Sequence, residues 1–124
     1  MRLIDTSAWI HALRTDGDPA VASRVRALLE TGEAAWCPMV QLEMWNGARG
    51  DHERRVIKEM KDDLIELEMD GPVWTIANAL AQSARRTGKT IPATDILIAA
   101  CARRHGVELE HADQHFAVLA ALSD

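Results

Sequence analysis

The chain has 124 residues, 48% of them hydrophobic and 27% charged, a composition that excludes a disordered or fibrous protein and suits one domain with its own core. With 19 Asp and Glu against 14 Lys and Arg, the formal charge is −5. That excludes a histone-like or nonspecific nucleic-acid coat, because such proteins neutralise phosphates with an excess of basic side chains. It leaves room for an enzyme that meets a phosphodiester through a divalent cation, since that kind of site is itself rich in carboxylates.

The longest uncharged apolar runs, 96–102 and 116–122, have seven residues each, far short of the roughly 18 that a membrane span needs. The opening MRLIDTSAWI meets Asp5 too early to supply a signal-peptide apolar region. Cys37 and Cys101 form no CxxC or CxxH spacing, so neither a disulfide framework nor a zinc site is expected, and a reducing cytoplasm is the expected setting.

In chain order, residues 2–4 are a short apolar run that reads as a buried strand ending at Asp5, and Thr6-Ser7 opens a helix to about Leu13. Asp18-Pro19 is an N-cap followed by proline at the first helical position. Val21, Val25, Leu28 and Leu29 then recur at helical spacing until Gly32. Residues 34–37 form a second apolar run, stopped by Pro38, and a helix over about 39–48 follows. Asp51 begins a segment with Val56, Ile57, Met60 and Leu64 on one stripe. Ile65, Leu67 and Met69 then alternate with Glu66 and Glu68, which reads as a short edge strand or a continued helix. After Asp70-Gly71-Pro72 comes the clearest helix, with Val73, Ile76, Ala77, Leu80, Ala81 and Ala84 on one face and Arg85-Arg86 in its last turn. Residues 91–94 are a loop, 95–105 an apolar helix ended by Gly106, and 107–109 a last strand. Asp113 precedes a final helix running to the C-terminus. No repeat, low-complexity stretch or linker divides residues 1–124. The alternation predicts an α/β fold: a short parallel sheet flanked by helices, with ligand-handling groups at the carboxyl edge of the strands.

That rule sorts the acids. Asp5 ends the first strand, Asp113 follows the last, Asp95 heads the most apolar helix, and Glu43 lies within the helix after the second strand. Taken singly, Asp5, Asp95 and Asp113 also read as helix N-caps or first-turn acids, and Glu43 as a helical acid at the core boundary. Taken together, four carboxylates at one sheet edge would repel strongly, and a hard divalent ion removes the conflict. Mg²⁺ or Mn²⁺ suits such oxygen donors better than zinc and points to phosphodiester chemistry.

These residues also carry a resemblance. LIDTSAWI, PMVQLEMWNG, TDILIAACARRHGVEL and HADQHF resemble, in order, the four acid motifs of the PIN-domain ribonucleases. The short form is similar to the VapC toxins of type II toxin–antitoxin pairs. The resemblance implies a Mg²⁺- or Mn²⁺-dependent endoribonuclease that leaves 5′-phosphate and 3′-hydroxyl ends. It also implies a homodimer held inactive by a small VapB-type antitoxin. Carried over, Asp5, Glu43, Asp95 and Asp113 are the catalytic acids, with Asp5, Asp95 and Asp113 on the metal and Thr6 or Ser7 supporting Asp5. The family often has Thr or Ser two residues before the fourth acid and Asp two after it, where this chain has His111 and His115.

His111 and His115 read either as loop and first-turn residues or as an acid/base pair beside Asp113. Arg49, Arg85, Arg86 and Arg103 read as helix-end charges or as phosphate contacts that give an acidic protein a basic rim. Trp9, Trp36, Trp45 and Trp74 read as core or interface residues, and Trp9 and Trp45 as one wall of an antitoxin groove. A receiver domain would need a clustered acid pair after the first strand and a late Lys, which the chain lacks. The remaining rival is a noncatalytic RNA- or protein-binding module on the same fold.

Overall fold

The two most apolar short runs form β1 (Arg2–Ile4) and β2 (Ala34–Trp36), in which Leu3, Ile4 and Ala35 are fully buried and Ala34 and Trp36 nearly so. Strands covered on both faces need helices on both sides, and the amphipathic segments between them supply these. In the computed structural model, which describes residues 1–123, β1 leads into α1 (Thr6–Leu13) and α2 (Pro19–Glu30), and β2 into α3 (Pro38–Gly47) and α4 (Gly50–Asp63). β3 (Ile65–Glu66), α5 (Gly71–Arg86), α6 (Ala93–His105), β4 (Glu108–Glu110) and α7 (Gln114–Ala120) complete the order.

The sheet runs β3-β2-β1-β4, and every neighbouring pair is parallel. β1 therefore sits inside the sheet, with Leu3 opposite Ala35 on one side and Leu109 on the other. The α/β reading holds. The core joins the sheet to one stripe of α2 (Val21, Val25), of α4 (Ile57, Met60) and of α5 (Val73, Ala77, Leu80, Ala84), and to α6, which is buried nearly all round with Ile98 and Ala100 on opposite sides. No helix among the described residues is long and apolar enough to cross a membrane.

Several boundaries differ from the sequence reading. β4 starts one residue later because the Val107 N–H is already used, donating to Ala102 O (3.1 Å) as the chain leaves α6 through Gly106 at φ 64°. α6 starts at Ala93 rather than Asp95, with Pro92 at the cap position and no side-chain cap bond. α7 ends at Ala120 instead of continuing. Of the two readings of 65–69, the short edge strand is the one found: β3 has two residues at one end of the sheet, and the alternation starts only at buried Leu67, Ile65 being exposed. The Leu67 N–H still donates to Trp36 O (2.8 Å), but the chain then turns toward α5. Leu29 is exposed despite its helical spacing. Trp9 and Trp36 are core residues, whereas Trp45 and Trp74 are 46% and 53% exposed. Cys37 and Cys101 are both free and buried.

The turn between α1 and α2 is packed tightly. His11 Nδ1 accepts from the Asp18 N–H (2.8 Å), and a Cβ placed on Gly17 would lie 2.1 Å from the His11 carbonyl oxygen. Gly17→Ala should lower unfolding stability by about 1–3 kcal/mol, the range typical of overpacking. Gly47→Ala, within α3 and with open space around its Cβ, should be neutral or stabilising by up to about 1 kcal/mol. Urea denaturation midpoints of the two variants check the contrast.

Candidate active site

The parallel topology brings the acids to one edge. Asp5 follows the last residue of β1 and caps α1, its Oδ2 accepting from the Ser7 N–H (2.9 Å). Asp113 lies beyond β4 and caps α7, its Oδ1 accepting from the His115 N–H (2.9 Å). α6 feeds β4 through a tight turn at Gly106 and runs back against the sheet, which puts its first turn, with Asp95, at the carboxyl edge. Glu43 sits in α3, which leaves that same edge after β2. The capping and clustering readings are thus both true of Asp5 and Asp113. Asp95 caps nothing, and its carboxylate faces His115 instead.

These carboxylates sense one another. Burial pushes Asp5 above the usual carboxylate range; bonds from Ser7 oppose the shift and the charge of Asp95 adds to it. Burial raises Asp95 as well, opposed by the bond to His115 and reinforced by Asp113. Glu43 is raised by burial, opposed by its bond to Thr6 and reinforced by Asp5 and Asp95. Three acids are shifted the same way, each by burial first and then by the charge of at least one neighbouring carboxylate, as expected of crowded, partly desolvated groups. Asp5 itself is 4% exposed and its Oδ1 has no hydrogen-bond partner. A buried carboxylate oxygen without a donor is costly, and this one lies close enough to Asp95 and Glu43 for charge to be felt between them.

The supporting residues do more than expected. Thr6 serves both acids: its Oγ1 donates to Glu43 Oε1 (3.0 Å), while its backbone N–H helps to hold the Asp5 carboxylate. Ser7 holds Asp5 through its backbone, while its Oγ accepts from the Ala112 N–H (3.0 Å), fastening the loop before Asp113 to the start of α1. His115 enters the cluster, with Nδ1 2.9 Å from Asp95 Oδ2 and 3.3 Å from Asp113 Oδ1. His111 does not. Its ring packs against Phe116 with centroids 5.2 Å apart and lines a separate cleft of about 310 Å³ between α6, β4 and α7 that contains none of the four acids.

The arginines separate too. Arg103 is not available as an RNA contact in the expected way, because its guanidinium donates to Leu119 O (2.8 Å) and Leu122 O (2.9 Å), closing the carboxyl end of α7. Arg49 lines a cleft of about 240 Å³ that also includes Thr6, Glu43, Ile10, Leu13 and Glu53. Arg85 and Arg86 are exposed in the last turn of α5, just before the loop that leads into α6.

The sequence reading missed two buried acids, Glu53 and Glu110. Glu53 pairs with Arg14 (3.3 Å) and accepts from the Arg49 N–H (2.8 Å), and Glu110 pairs with Arg24 (3.2 Å). Both are neutralised by a basic partner, which separates them from Asp5, Glu43, Asp95 and Asp113. Neither pairing has a local sequence signal, since the partners are 39 and 86 residues apart.

The donor chemistry fits a small divalent cation: carboxylate oxygens crowd together, one of them buried and bare, and Asp95, Asp113 and His115 offer ligand atoms within 4.8 Å of one another. Millimolar Mn²⁺ or Mg²⁺ should therefore raise the melting temperature, by the equivalent of about 2.7 kcal/mol at about 100 times Kd. Asp5→Asn, which keeps the shape but removes a crowded charge, should melt no lower than wild type without the ion and lose most of the ion-dependent gain. Differential scanning fluorimetry with and without EDTA reads both. Arg103→Ala should destabilise the protein by about 1–3 kcal/mol through the stranded α7 carbonyls. Its RNA affinity, measured by filter binding at two salt concentrations, should stay near that of wild type.

Residues 2–122 match the sequence profile of the PIN domain. The chain is 36% identical over 128 residues to ribonuclease VapC11 of Mycobacterium tuberculosis, covering 100% of this chain and 95% of that protein. It is 31% identical over 124 residues to ribonuclease VapC21 of the same organism, covering 98% and 87%. Among solved structures, FitAcB from Neisseria gonorrhoeae superposes with a TM-score of 0.73 at 22% identity, over 99% of this chain and 95% of that one. VapBC-5 from M. tuberculosis, described as a member of the VapBC family of toxin-antitoxin systems, gives 0.70 at 21%, over 97% and 90%. Four acids at the carboxyl edge of a parallel sheet and a profile match over nearly the whole length have one reading: the chain belongs to the PIN-domain family, among its VapC ribonucleases.

Proposed function

We propose that this protein is a metal-dependent endoribonuclease toxin. In this reading Asp5, Asp95 and Asp113 bind the cation, Mg²⁺ or Mn²⁺, and Glu43 acts as the fourth catalytic acid. The observation that supports it best is the bare, buried Asp5 Oδ1 beside acids that burial and neighbouring charge both raise. A noncatalytic binding module gains nothing from such crowding. When bound, the divalent ion supplies positive charge for a nonbridging phosphate oxygen and makes water a better nucleophile at neutral pH.

The chain's own side chains do the rest. Asp5 is held by α1 and cannot turn away, because its Oδ2 is fixed by the Ser7 N–H. Glu43 is aimed by the Thr6 hydroxyl at Oε1, which leaves Oε2 to orient and deprotonate the attacking water. Attack at phosphorus in line with the 3′-oxygen breaks the P–O3′ bond, giving 5′-phosphate and 3′-hydroxyl ends. Arg49 in the adjoining cleft, with Arg85 and Arg86 beyond α5, supplies positive charge along the path of the RNA backbone.

The names of the VapC relatives support RNA as the substrate, and the toxin–antitoxin description of VapBC-5 supports a small VapB-type antitoxin as the inhibitory partner. Trp9 is too buried to serve such a partner, whereas Ile10 lines the Glu43 cleft and is exposed, as is Trp45 elsewhere on α3. A homodimer is the proposed assembly, and exposed Leu42 and Trp74, with half-buried Met39 and Leu97 beside them, are the apolar side chains that a second copy would cover.

Asp95→Asn should reduce cleavage of a long unstructured RNA by more than the roughly 10–100-fold typical of losing a supporting group. Thr6→Val should fall within that range, and EDTA should abolish activity reversibly. A gel assay with 5′-end analysis measures all three; full activity in EDTA would overturn the proposal.

A further inference from the structure

The structure puts the imidazole of His115 inside the acid cluster. Its backbone is fixed at the start of α7, where the His115 N–H donates to Asp113 Oδ1 (2.9 Å). Its Nδ1 lies 2.9 Å from Asp95 Oδ2 and 3.3 Å from Asp113 Oδ1. Ligand atoms of the three residues fall within 4.8 Å of one another, the spacing of donors that share one small ion bound at about 2.0–2.2 Å. Independently, the almost wholly buried Asp5 carboxylate presents an oxygen without a partner, and its charge is coupled to Asp95.

A ring nitrogen this close to two carboxylate oxygens either donates a proton to them or joins them around a cation. The geometry suits both, because exchanging a proton for an ion leaves nitrogen and oxygens aimed at one point. We infer that His115 is a direct nitrogen ligand of the cation, and that it converts an all-oxygen centre into a mixed one that selects Mn²⁺ and later first-row divalent ions over Mg²⁺. The reason is ligand chemistry. Mg²⁺ is hard, strongly hydrated and served by oxygens, whereas imidazole suits transition metals and favours them in the order of their affinity for nitrogen. The inference rests on the proposed acid-held metal centre and names a preference which the four acids alone would not give it.

The test uses the whole protein with Mn²⁺ and Mg²⁺ as probes and does not depend on RNA cleavage. Isothermal titration calorimetry should give wild type a preference for Mn²⁺ over Mg²⁺ of about tenfold or more, and His115→Asp should shrink that ratio by roughly fivefold, mainly by improving Mg²⁺. Electron spin echo envelope modulation of bound Mn²⁺ should show directly coordinated ¹⁴N in wild type and in His111→Gln, and none in His115→Asp. If His115→Asp fails to fold, the pair of wild type and His111→Gln still decides whether nitrogen is present and whether His111 supplies it. Bound Mn²⁺ that is lost in Asp5→Asn but lacks ¹⁴N coupling in wild type would overturn the role of His115 while leaving the acid-held centre standing. No Mn²⁺ binding by wild type would overturn both.

Discussion

A desolvated carboxylate at the end of an interior strand is the constraint on which the rest of this molecule depends. β1 has neighbours on both sides, so the residue that ends it is surrounded before any ligand arrives. Placing Asp5 there costs stability. The fold recovers part of it with one backbone N–H from α1 and leaves the other oxygen unmet. Helices α3, α6 and α7 then bring Glu43, Asp95 and Asp113 toward the same place, which worsens the repulsion. A hydrophobic isostere at position 5 would be the stable choice for a scaffold, so the observed residue is best understood through what it can hold.

Much of this was legible in the linear chain. The strands at 2–4 and 34–36 announce themselves as short apolar runs, and a parallel sheet puts Asp5, which follows the first of them, at its carboxyl edge; Glu43, Asp95 and Asp113 join it from their places in the later elements and from the PIN-domain motifs. The helical stripes of α4 and α5 are equally plain, because period-3.6 burial of Ile57, Met60, Val73, Ala77 and Leu80 is a local property. The edge strand was harder. Ile65 and Leu67 alternate in sequence, yet only a ladder of some length keeps alternate residues on one face, and β3 is too short for that.

What escaped the sequence has a common physical origin: side chains whose partners are remote. Arg103 looks like any helix-end cation, and only the fold-back of α7 gives it two carbonyls to close. Thr6 neighbours Asp5 in the chain, but the helical turn points its hydroxyl across to α3. His115 reads as a first-turn residue and becomes a member of the acid cluster because α6 and α7 begin side by side. The buried pairs Arg14–Glu53 and Arg24–Glu110 belong to the same class. Each is a tertiary fact with no local period or motif to reveal it.

The bond from the Ala112 N–H to Ser7 Oγ joins positions 105 residues apart, and β1 pairs with β4 across a similar interval. Asp5 is therefore made well before the groups that complete its surroundings. A nascent chain emerging from the ribosome holds Asp5, Glu43 and even Asp95 without the segment that locks the edge of the sheet. That edge of the sheet, and the cluster of acids along it, closes only after the β4 segment has been made.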